Sequence, residues 1–189
     1  MTLLVFAGSL RTGSLNKKLA RVVADLARAA GAEVTFLDLR DYPVPVYDGD
    51  LEDTDGLPAT VRALKAHVLA HDAFVVVSPE YNGSTPGPLK NLIDWMSRPA
   101  SDDDPDVFDG KSAAIMSASP GLFGGVRGLI TLRAILANLG VLVLPEQFSL
   151  SRAHEAFDDA GQLKDARRRA AADEVVRRLI AVASRLKAG

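Results

Sequence analysis

The chain predicts a doubly wound parallel α/β sheet, and three observations carry that expectation. Short apolar runs alternate with segments of helical period. Three of those runs are almost free of polar residues, as strands are when helices cover both faces of a parallel sheet. No internal repeat, linker or cysteine suggests another plan. With 189 residues, 48% hydrophobic and 24% charged, one domain over residues 1–189 is expected.

The elements follow in order. A first strand is read at Leu3–Gly8 and leads into a helix whose stripe is Leu15, Leu19, Val22, Val23, Leu26 and Ala30, closed by Gly31. A second strand covers Glu33–Leu39. Pro58 suits a first helical position, followed by Val61, Leu64, Val68 and Leu69. The third strand is Ala73–Ser78. Its helix carries Leu89, Leu92, Ile93 and Met96 and stops before Pro99. Ser112–Ala118 is the fourth strand, and Val126, Leu129, Ile130, Arg133, Ile135, Leu136 and Leu139 form the next helix, closed by Gly140. Val141–Leu144 is the fifth strand, and a last helix spans about Lys164 to Leu186. Five β-α repeats of this kind describe a five-stranded sheet of the flavodoxin type, in order 2-1-3-4-5. In that order the loops after the first and third strands flank the point where the strand order reverses, and ligands bind there.

Those two loops carry the chemistry. Gly8-Ser9-Leu10-Arg11-Thr12-Gly13-Ser14-Leu15-Asn16 opens a helix, where unpaired N–H groups and a partial positive charge welcome an anion. Ser9, Thr12 and Ser14 add hydroxyls and Asn16 an amide, while Arg11 adds a fork whose charged hydrogen bonds are worth roughly 1.5–3 kcal/mol each. A bare helix cap would explain Ser14 but leave Ser9, Arg11 and Asn16 idle. Ser14 and Leu15 occupy the lysine and Mg²⁺-hydroxyl slots of a Walker loop, and Leu10 stands where a dinucleotide fingerprint needs its second glycine. A mononucleotide is the better fit.

The second loop, Pro79-Glu80-Tyr81-Asn82-Gly83-Ser84-Thr85-Pro86-Gly87, has a strong turn signal in Asn82-Gly83 and offers backbone N–H groups and Tyr81 to a flat heterocycle. Together the loops suit a phosphorylated planar cofactor, best matched by FMN.

With Leu89-Lys90-Asn91-Leu92-Ile93-Asp94-Trp95-Met96-Ser97-Arg98, these motifs closely resemble the NADPH-dependent FMN reductase family, in its bacterial quinone, chromate and azo-dye reductase branch. The resemblance runs from the first strand to about Leu150. It implies FMN bound by Ser9, Arg11, Ser14, Leu15 and Asn16, with the ring against Pro79, Glu80, Tyr81, Asn82 and Gly83, and with Ser117 and Gly121 of a third loop beside it. That third loop, Ser117 to Gly125, departs from the pattern through Pro120 and Phe123. The resemblance further implies NADPH or NADH as transient hydride donor, a quinone or similar small acceptor served in turn, and self-association as a homodimer or homotetramer. The cofactor would do the chemistry, so no catalytic acid, base or nucleophile is assigned.

Other functions are disfavoured. A net charge of −2 implies no nucleic-acid partner, and Arg167-Arg168-Arg169 reads as a solvated helix face. The same charge speaks against a flavodoxin-type electron carrier, the alternative reading, because such carriers are strongly acidic. No apolar stretch is long enough for a membrane span and no signal peptide is read, so a cytoplasmic location is expected, and the Asn82-Gly83-Ser84 acceptor match is then accidental. Without cysteine there is no disulfide or thiolate metal site. His67 and His71 lack a third ligand, and Asp102-Asp103-Asp104-Pro105-Asp106 lacks the EF-hand glycine and glutamate, so no metal is expected. Trp95 is expected in the core or at an interface, and no role is assigned to His154, which follows the fifth strand.

Overall fold

The computed structural model describes residues 1–101 and 104–188. Its strands are β1 (Thr2–Ala7), β2 (Glu33–Leu37), β3 (Ala73–Val77), β4 (Ser112–Ala118), β5 (Leu142–Val143) and β6 (Phe148–Leu150). All pairings in the sheet are parallel, and the order is β2-β1-β3-β4-β5, with β6 also on β4. The helices are α1 (Leu15–Ala29), α2 (Gly49–Asp55), α3 (Ala59–Leu69), α4 (Gly87–Met96), α5 (Val126–Asn138) and α6 (Ala166–Ala188).

Alternating side chains of the central strands feed two cores, as the strand period of two demands. Leu3, Val5, Val75 and Val77 pack with α1 and α6 on one face, and Leu4, Phe6, Phe74 and Val76 with α3, α4 and α5 on the other. This two-sided burial covers β3 and β4 along their whole length, so β3 is entirely apolar and β4 admits only the small polar residues Ser112 and Ser117. Trp95 lies in the second core, fully buried, with its indole N–H donated to the Pro45 carbonyl at 2.9 Å.

Two features depart from the sequence reading. The fifth strand position is filled by two fragments: β5 pairs with Ser112 and Ala113, and β6 with Met116 to Ala118. Pro145 cannot donate to a ladder, and it falls in the gap. Arg133 of α5 closes the gap, donating to the carbonyls of Val143 (3.3 Å), Leu144 (2.5 Å) and Pro145 (3.4 Å) and to Gln147 Oε1 (3.1 Å). Helix α2 was not expected, because it buries no residue and therefore shows no apolar stripe. Leu69 and Ile130, assigned to buried stripes, are 39% and 63% exposed.

Candidate functional site

The first loop leaves β1 at Gly8, whose N–H donates to the Val77 carbonyl at 3.0 Å. A Cβ on Gly8 would stand 2.6 Å from Leu89 Cδ2, so the absence of a side chain lets α4 approach the strand end. Ser14 is the N-cap of α1, its Oγ accepting from the Lys17 N–H at 3.4 Å. Ser9 Oγ accepts from the Arg11 N–H at 3.4 Å. Among the described residues the N–H groups of Leu15 and Asn16 have no acceptor, and the exposed Arg11 guanidinium has no ion pair or hydrogen bond. Free donors and a helix N-terminus therefore coincide.

The side-chain amide of Asn16, expected to face an anion, is instead engaged within the protein, which leaves its backbone N–H as the free donor. Asn16 is buried, and its amide spans to the end of β4: Nδ2 donates to the Ala118 carbonyl at 2.9 Å, and the Ala118 N–H donates to Oδ1 at 2.8 Å. It holds the first loop against the third. Lys17, 2% exposed, pairs with Asp38 at 2.5 Å. Burial raises the Asp38 pKa, but hydrogen bonds from Lys17 and the Arg40 N–H, with the charges of Lys17 and Arg21, outweigh it and hold the carboxyl below its usual value.

The second loop is built from internal bonds. Glu80 Oε1 accepts from Arg127 Nε at 2.9 Å and Nη2 at 2.7 Å, and Oε2 accepts from the Gly128 N–H at 3.1 Å. Its carboxylate caps the first turn of α5, whose N-cap is Gly125 and supplies no side chain. Tyr81 and Ser84 exchange two backbone hydrogen bonds at 3.1 Å around Asn82 (φ 52°) and Gly83 (φ 78°), a tight turn with both central residues left-handed. Tyr81 is half exposed.

In the third loop Ser117 lies behind the surface rather than on it. Ser117 is fully buried, donating its one hydroxyl hydrogen to the Gly124 carbonyl at 2.7 Å and accepting from Ser149 Oγ at 3.2 Å. It shapes the loop from beneath, because Gly125 (φ 90°) comes so close that a Cβ there would lie 2.9 Å from the Ser117 Cβ. Gly121 is exposed, and its carbonyl accepts from the Arg152 N–H at 3.3 Å.

These loops enclose a half-polar cleft of about 160 Å³. It brings together Ser9, Arg11, Ser14, Leu15 and Asn16 with Pro79, Glu80 and Tyr81. The far wall is Ala118, Ser119 and Pro120, while Asn82, Gly83, Ser117 and Gly121 are not part of the lining. Ala118 escaped the sequence reading because it contributes backbone, not side-chain chemistry. Leu10 points the other way, into a larger apolar groove of about 530 Å³ formed with Tyr42, Val44, Val46, Pro88 and Leu92. Asn91 also lines this groove, but its amide is already engaged by the Tyr47 N–H and the Pro45 carbonyl.

Residues set aside at the sequence level have local partners. His71 bonds to Thr35 Oγ1 at 2.7 Å and to the His67 carbonyl at 2.6 Å, and His67 to the Tyr42 hydroxyl at 3.1 Å. Asp104 pairs with the buried Lys65, while Asp102 and Asp103 lie outside the described residues. His154 is exposed beside Glu155. Among the described residues no helix is long and apolar enough to cross a membrane.

Residues 1–155 match the family described as NADPH-dependent FMN reductase. The chain belongs to that family. A quinone reductase from Escherichia coli (strain K12) is 42% identical over 137 residues, covering 72% of this chain and 70% of the relative. An NAD(P)H:quinone oxidoreductase from Solanum tuberosum is 37% identical over 185 residues, covering 95% and 91%. FerB, a flavoenzyme NAD(P)H:(acceptor) oxidoreductase from Paracoccus denitrificans, superposes with a TM-score of 0.81 at 31% identity over 97% of each chain. As a member of this family the protein is a flavin-dependent NAD(P)H oxidoreductase with a flavodoxin-like sheet.

Proposed function

We propose that the protein is an FMN-dependent NAD(P)H:acceptor oxidoreductase of the cytoplasm, reducing quinones or similar small acceptors by two electrons. The observation that carries the reading is the set of unsatisfied donors at the start of α1: the N–H groups of Leu15 and Asn16 beside the unpaired Arg11. A monoester phosphate is the ligand that such a set fits, which favours FMN over riboflavin. Bound flavin would accept hydride from the nicotinamide nucleotide and pass two electrons to the acceptor, the two substrates using one face in turn.

The chain's residues bind and orient. Arg11 and the α1 N-terminus hold the phosphate, with Ser9 and Ser14 shaping the loop. Backbone of Pro79, Glu80 and Tyr81 supports the ring, and Ser119 and Pro120 close the opposite wall. The cleft is small beside the roughly 300–1,000 Å³ typical of sites for drug-sized ligands; half-exposed Tyr81 lines it, and Leu122 (72%) and Phe123 (68%) of the third loop are exposed. A second subunit that completes the site, in a homodimer or homotetramer, accounts for both facts and for the uncovered apolar groove.

Anaerobic mixing of the purified, flavin-loaded protein with NADPH tests the reading. Prompt bleaching of the yellow absorption, restored on adding a quinone, is the expected result. Protein that takes up no FMN, or that bleaches only when a separate reductase is supplied, overturns it; the second outcome marks an electron carrier.

A further inference from the structure

Among the described residues two other than glycine have left-handed backbone, Asn82 and Arg152. Asn82 sits in a turn that requires it. Arg152 (φ 48°, ψ 41°) precedes a single 3₁₀ turn, Ala153–Glu155, where glycine or asparagine would serve with less strain. Surrounding bonds impose this conformation. The Arg152 N–H donates to the Gly121 carbonyl at 3.3 Å, the Ala153 N–H to the Ser119 carbonyl at 3.0 Å, and the Ser119 N–H to the Leu150 carbonyl at 3.0 Å. Arg152 is thereby fastened to the loop that forms the Ser119–Pro120 wall of the cleft. A strained backbone at such a place is a pointer to use of the side chain.

The guanidinium is exposed, and among the described residues it has neither a hydrogen bond nor an ion pair. Other basic side chains are occupied: Arg127 by Glu80 and Arg168 by the Ser151 carbonyl at 3.1 Å. Two free arginines therefore stand on different sides of the site: Arg11 lines the cleft, and Arg152 is fastened by its backbone behind the Ser119–Pro120 wall. Arg11, with the start of α1, accounts for one monoester phosphate. A second free fork calls for a second phosphate. Of the two nicotinamide nucleotides, only NADPH carries a further monoester, on its adenosine 2′ oxygen, and a planar guanidinium suits a phosphate in paired fashion.

We propose that Arg152 binds the 2′-phosphate of NADPH and so selects it over NADH. This rests on the reductase reading above; it concerns which donor is chosen, since both nucleotides deliver the same hydride.

The experiment compares wild type, Arg152→Gly and Arg152→Lys, all flavin-loaded. Glycine accepts the left-handed conformation, so Arg152→Gly preserves the fold. Calorimetry with 2′,5′-ADP and with 5′-AMP reads the 2′-phosphate contribution without turnover, and steady-state kinetics read the NADPH-to-NADH ratio of kcat/KM. In wild type 2′,5′-ADP binds more tightly than 5′-AMP. Arg152→Gly reduces that preference, and the kcat/KM ratio, about tenfold, the equivalent of one charged contact, and Arg152→Lys retains part of both. Equal binding of the two nucleotides by wild type, or an unchanged ratio in Arg152→Gly, overturns the proposal. Failure of wild type to oxidise either NADPH or NADH sinks the reductase reading instead, and the calorimetric comparison still decides the role of Arg152.

Discussion

The first and second loops flank one cleft, yet their polar groups are in opposite states. In the first loop Arg11 and two helix N–H groups are without partners. In the second, Glu80 is fully engaged by Arg127 and Gly128, and the Tyr81–Ser84 turn closes on itself. Free donors describe a place where a ligand completes the structure, while satisfied ones describe a wall that must stay in position without it. The same motif-rich sequence therefore contains one binding half and one supporting half.

Substitutions on either side separate the two roles. Glu80→Ala removes the cap of α5 and leaves the Gly128 N–H unpaired, at a cost of about 2 kcal/mol. The melting temperature of the apo protein should fall by roughly 4–8 °C. An unchanged melting temperature would mean that the second loop is held by something else. Arg11→Ala should behave in the reverse way. Its loss weakens FMN binding by about tenfold or more, as flavin fluorescence titration would read. Apo stability stays within roughly 0.5 kcal/mol, since no internal partner is lost. Equal FMN affinity in wild type and variant would remove Arg11 from the phosphate site.

The smallest effect concerns acid. The folded Asp38 carboxyl lies below its unfolded value of about 3.9, so the Lys17–Asp38 pair adds stability above that pH. The contribution fades as pH falls through the lower folded value. Chemical denaturation between pH 6 and the acid limit should show wild type losing its advantage over Asp38→Asn only below about pH 4. A constant difference down to that limit would show that the first loop's support does not depend on this charge.

Much of this architecture was legible in the residues. The nearly continuous apolar runs of β1 and β3 announced burial on both faces, and Asn82-Gly83 announced its turn. The strand order placed the two loops together before any contact was known. What escaped were groups whose use depends on distant chain. Asn16 looks like a donor for an anion, but it is bonded to Ala118, 102 positions away. Ser117 is named as a cofactor contact by the family resemblance, yet its hydroxyl is taken up by Gly124 and by Ser149 of β6. Lys17 shares the periodicity of a surface lysine, and only Asp38 beyond β2 explains its burial. Residue type shows what a side chain can offer. Whether the offer has already been taken is decided by tertiary structure.

The broken fifth strand has a consequence for assembly. An uninterrupted terminal strand would present a ladder of free amides and carbonyls to any passing chain, inviting continuation of the sheet from molecule to molecule. Here that border is two short pieces separated by Pro145, and Arg133 occupies carbonyls that a foreign strand would need. This border is thereby closed to β-extension, so continuation of the sheet into another molecule is left to the opposite border, where β2 runs unbroken from Glu33 to Leu37.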